Sequence, residues 1–131
     1  MTGLDTNVLV RYVMQDDPRQ SARATKPIES FTGEEPGFVP LVAVVELVWV
    51  LTGSYGLARA QVAAVLEGLL RSKELVVDRA DLVSQAVIRS RGAGADFADS
   101  MLERIASAAG CTTTLTFDAG AATAAGMTLV P

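Results

Sequence analysis

The 131-residue chain contains no histidine and a single cysteine, Cys111. The first absence removes Ser-His and Cys-His nucleophile pairs, histidine acid–base schemes and every His-ligated zinc or iron site. The second excludes internal disulfides and thiolate metal clusters. No apolar run approaches the ~20 residues that span a bilayer. The opening MTGLDT lacks the basic-then-apolar pattern of a secretory signal, so a soluble cytoplasmic protein is expected. Repeats, low-complexity tracts and linkers are also lacking, and half the residues are apolar. One domain over residues 1–131 is therefore expected, large enough to bury roughly two-thirds of its unfolded surface. Any catalysis falls to carboxylates and an oxygen-preferring cation, Mg²⁺ or Mn²⁺.

What the chain does have is carboxylates set in apolar stretches. They are Asp5 in GLDTNVLV, Glu46 in LVAVVELVWVL, Asp96 and Asp99 in DFADSML, and Asp118 in TTTLTFDAG. An unpaired charge is expensive to bury. No cationic partner lies in the stretches around Glu46, Asp99 or Asp118, and only Arg11 follows closely after Asp5. Convergence on a divalent cation accounts for the set, and makes the chain a candidate metal-dependent hydrolase.

Each acid also has a plainer reading. Asp5 at a strand end caps the next helix. Asp96 caps a helix and Asp99 favours its dipole. Asp118, before Ala-Gly, is a turn residue. Glu46 has Val42, Ala43, Trp49 and Val50 at helical spacing, which predicts a buried face; a Glu facing solvent is the alternative. Asn7 orients a carboxylate or caps. Thr116 holds a ligand water or is an ordinary strand residue. Arg11 contacts a phosphate or lies on a solvated face. Trp49, Leu51 and Tyr55 are expected in the core or at an interface, and Cys111 is expected buried. Setting aside the five acids leaves 10 acidic against 11 basic residues, so the net charge of −4 does not exclude a phosphodiester substrate.

Strand and helix alternate along the chain. Short strands are expected at residues 2–5, 38–40, 75–77, 111–117 and 127–130. Helices are expected at 6–13, 19–30, 41–52, 57–71, 80–91 and 96–109. This order predicts an α/β fold with a mainly parallel sheet, whose sites form beyond the carboxyl ends of strands. Asp5 and Asp118 fall at such ends.

GLDTNVLVRYVMQDDPRQSARA, FVPLVAVVELVWVL and DFADSMLERIASAAGCTTTLTFD, in that order, resemble the PIN-domain ribonucleases, and within them the VapC-type toxins of bacterial toxin–antitoxin pairs. The resemblance implies a three-layer α/β/α sandwich around a mainly parallel sheet. It implies an acidic centre of Asp5, Glu46, Asp99 and Asp118 holding Mg²⁺ or Mn²⁺, with Asp96 completing the site or orienting Asp99. It also implies cleavage of single-stranded segments in structured RNA and a cognate antitoxin that covers the site. Apolar helices around Leu41–Leu51 and Val62–Leu70 would supply the antitoxin groove or a homodimer contact. Ser100, Met101 and Glu103 depart from the usual residues of the helix that Asp99 opens, and Glu103 is expected to be solvated.

Two other classes stay in view. A phosphoacceptor receiver domain clusters acids at strand ends but needs a late-strand lysine, and the last lysine here is Lys73. An aspartyl phosphatase needs a second Asp where Asn7 stands. The non-enzymatic reading is an acidic-pocket interaction module whose acids only cap helices.

Overall fold

The computed structural model describes residues Met1–Pro131, which form two compact units, Met1–Ala80 and Asp81–Pro131. In the first, β1 (Thr2–Gly3), β2 (Gly37–Val39) and β3 (Leu75–Val77) make a parallel sheet in the order β1-β2-β3. Parallel neighbours need crossovers, and pairs of helices supply them. α1 (Thr6–Met14) and α2 (Pro18–Glu29) join β1 to β2, while α3 (Leu41–Gly53) and α4 (Arg59–Arg71) join β2 to β3. Asp17 caps α2 by accepting from Gln20 N at 3.0 Å, and Pro18 sits in its first turn, where a missing N–H costs nothing. Leu9, Val39, Val44, Leu47 and Leu51 are fully buried.

α3 opens without a side chain of its own to cap it, because its N-cap is Pro40. Asp78, directly after β3, supplies the missing acceptor: Leu41 N donates to its Oδ2 at 3.1 Å. A carboxylate at a helix N-terminus is favourable both as an acceptor and against the dipole. Asp78→Ala is expected to lower stability by about 1 kcal/mol, read as a lower urea midpoint with an unchanged slope.

The second unit holds α5 (Ala80–Gly92) from Asp81 onward, α6 (Phe97–Ala108), β4 (Leu115–Thr116), α7 (Ala119–Ala124) and β5 (Thr128–Leu129), with β4 and β5 parallel. Ala95, Ala121, Ala125 and Met127 form a small core there. Glu103 is not solvated as expected: only 13% of its side chain is exposed. Arg104 grips it through Nε at 2.7 Å and Nη2 at 2.9 Å. Arg89 of α5 reaches it at 2.8 Å and also donates to the Ala125 carbonyl at 2.7 Å. One carboxylate thereby fastens α5, α6 and the end of α7.

Hydrogen bonds from Arg104 and then Arg89 hold the Glu103 carboxyl down at about 2, against 4.5 ordinarily. A depressed carboxylate contributes stability that is present above the unfolded value and lost as pH falls. The shift caps that contribution at about 3 kcal/mol, and solvent at the partly exposed guanidiniums lowers it to about 2 kcal/mol. Wild type should therefore lose this advantage over Glu103→Gln as pH drops from 4.5 toward 2, measured by urea titrations across that window.

The chain is thus α/β with parallel strands, as expected. No helix is long and apolar enough to cross a membrane. The expected strand at 111–117 shortens to Leu115–Thr116. Gly110 takes a φ of +99° and Cys111 N donates back to Ala106 O at 3.0 Å, so these residues finish α6. Cys111 is exposed rather than buried.

Candidate metal centre

In the first unit Asp5 follows β1 and caps α1, with Thr6 N donating to Oδ1 at 2.7 Å. Thr6 is buried, and its hydroxyl donates to Glu46 Oε1 at 3.2 Å. The residue beside Asp5 therefore fixes the carboxylate of α3. Nothing local in the sequence marks this role of Thr6, because its tie to Glu46 spans 40 residues. Asp78 was missed as well, although it ends the strand LVV as Asp5 and Asp118 end theirs.

Glu46 does not lie on a buried face. It is exposed, between Val42 at 70% and Trp49 at 67% exposure. α3 is apolar on all sides, so residues three and four positions away do not distinguish core from surface. Trp49 is accordingly outside the core, Leu51 is fully buried, and Tyr55 donates to Asp16 Oδ2 at 2.7 Å. Arg11 is not on a purely solvated face: it pairs with Asp16 at 3.2 Å and reaches Tyr55 Oη at 3.4 Å. Asn7 is exposed in the first turn of α1.

In the second unit Asp96 caps α6, accepting from Asp99 N at 3.0 Å. Asp118 caps α7 through Gly120 N at 2.7 Å and Ala121 N at 3.1 Å. Its own N–H donates to Thr116 Oγ1 at 3.0 Å, so Thr116 shapes the turn that aims Asp118. Asp99 caps nothing. Partial burial pushes its carboxyl above the usual range, and the charges of Asp96 and then Asp118 push it further. Three carboxylates close enough to be felt this way repel one another without a counter-ion.

The capping expectation is thus met at Asp5 and Asp96, while Asp118, expected as a turn residue, also caps a helix; each cap uses only Oδ1. All three side chains are exposed, so the Oδ2 atoms face solvent. No group of three or more carboxylate or cysteine side chains is arranged to hold a metal ion. The donor chemistry nevertheless suits one: the oxygens are hard, no histidine competes, and Asp99 lies in a field that a cation would relieve.

No curated protein and no solved structure matches the chain. A family model, PIN domain, matches residues 4–127.

Proposed function

The chain belongs to the PIN domain family, generally nucleases that act on RNA with divalent metals, and from that premise we propose that it is an Mg²⁺- or Mn²⁺-dependent endoribonuclease. The observation that carries the reading is the family match over residues 4–127, a span that contains all the candidate acids; the crowding of Asp99 by Asp96 and Asp118 accords with it. Perturbed acids gather where chemistry is done.

The proposed ligands are Asp5, Glu46, Asp99 and Asp118. A bound cation would supply a nucleophile from water at neutral pH and neutralise charge building on the phosphoryl oxygens. Asp5 and Asp118 present Oδ2 while their helices hold Oδ1 in place. Glu46, fixed at Oε1 by Thr6, keeps Oε2 to orient the attacking water and take its proton. Asp96 orders the first turn of α6 and so sets the direction of Asp99. Thr116 positions Asp118, and Asn7 stands ready to orient a phosphate oxygen.

In the cell the proposed role is that of a VapC-type toxin restrained by a cognate antitoxin, working in the cytoplasm as a single PIN-like domain and as a homodimer. The exposed Val42 and Trp49 of α3 support a protein-covered face. Co-expression with the adjacent-gene product should yield a complex that no longer cuts RNA. A monomer that ignores this product would remove the toxin role and leave the nuclease.

The nuclease is tested with a pool of structured RNAs in Mg²⁺, in Mn²⁺ and in chelator, using the parent protein beside Asp5→Asn and Asp99→Asn. Metal-dependent cutting lost in both variants supports the reading. A folded protein that neither cuts nor binds Mn²⁺ returns the acids to capping alone, the non-catalytic α/β module.

A further inference from the structure

α1 and α2 enclose a groove whose walls carry Asn7, Arg11, Gln20 and Arg23 over a floor that includes Val8 and Ala24. It starts two residues beyond Asp5. Arg23 belongs to a stripe: Arg19, Arg23 and Lys26 follow at intervals of four and three, which places them on one face of α2. All three are exposed, and no carboxylate pairs with them.

Like charges three and four apart on this face repel, although the Asp17 cap eases the start of the helix and Lys26 stands in its last turn, where a cation is favoured. An acidic chain that concentrates bare cations on one short helix, beside a donor-lined groove, is suited to an external polyanion.

We propose that this groove is the track for the phosphate backbone of the RNA strand, with Arg23 as a phosphate contact inside it, Asn7 and Gln20 as neutral donors, and Lys26, on the helix face beside the groove, as a second phosphate contact. Arg11 serves as a wall, since Asp16 and Tyr55 hold its guanidinium. The inference rests on the ribonuclease reading and adds the path by which the strand approaches Asp5. Backbone contacts position a strand without reading its sequence, so the groove contributes affinity and direction, not choice of target.

The test is binding, in chelator so that cutting is off, of a fluorescently labelled single-stranded oligouridylate over a series of salt concentrations. Arg23→Gln/Lys26→Gln should bind about tenfold more weakly, with a log–log salt slope shallower by about 1.4, since each single-strand phosphate contact contributes about 0.7. Arg71→Gln/Lys73→Gln, the same charge change at the end of α4, should match the parent. In the RNA-pool assay the first pair should raise KM and leave kcat unchanged.

An unchanged affinity and slope in Arg23→Gln/Lys26→Gln would overturn the proposal, as would a parent protein that does not bind the oligonucleotide. Displacement by poly-glutamate at equal charge would overturn it in favour of an acidic protein segment. Because binding is read without cleavage, loss of the nuclease reading and loss of this groove give different results.

Discussion

Asp99→Asn is expected to reduce metal-dependent RNA cleavage by about 10³-fold, since losing a ligand removes several kcal/mol of transition-state stabilisation. In chelator at neutral pH the same variant should resist urea better than its parent. The two results have one cause. Partial burial, then Asp96, then Asp118 disfavour the ionised Asp99, so above its raised value the charge costs the folded state stability. That cost disappears as pH falls toward the ordinary 3.8, and the advantage of Asn should fade over the same interval. The amide keeps the shape and removes the charge. A variant that cuts like the parent would end the case for Asp99 as a ligand; one that is less stable at neutral pH would refute the electrostatic account.

Leu47→Ala is expected to cost about 3 kcal/mol. The side chain is fully buried, and truncating such a leucine loses its transfer free energy and leaves a cavity. Against a total stability of about 5–15 kcal/mol, that is a large share. Leu47 also follows Glu46 on α3, so a loosened helix disturbs the hydrogen bond from Thr6. Urea unfolding reads the stability, and a loss below about 1 kcal/mol would mean that the helix repacks around the vacancy.

Much of the fold could be read because its punctuation is local. Pro18 in a first turn, the acids before α1 and α6, and Gly110 after α6 each mark a boundary by backbone chemistry alone. What was missed depends on partners far away. The exposure of Glu46 was hidden because α3 is apolar all round. The burial of Glu103 depends on Arg89, 14 residues earlier. α7, Ala119–Ala124, was not expected: it reads AGAATA, has no amphipathic rhythm, and its Asp118 cap passes for a turn residue. The candidate acids were legible as a set, but the sequence offered capping and ligation as alternatives, whereas the carboxylates cap through one oxygen and keep the other.

If the proposed ligand set is right, what the protein needs in order to fold differs from what it needs in order to work. Backbone N–H groups already anchor Asp5, Asp96 and Asp118, so folding does not wait for a cation, unlike a zinc finger that collapses when stripped. On the proposed metal-dependent reading, chelator should act as a reversible off-switch rather than a denaturant, so that protein loaded with RNA in chelator would stay idle until metal is added.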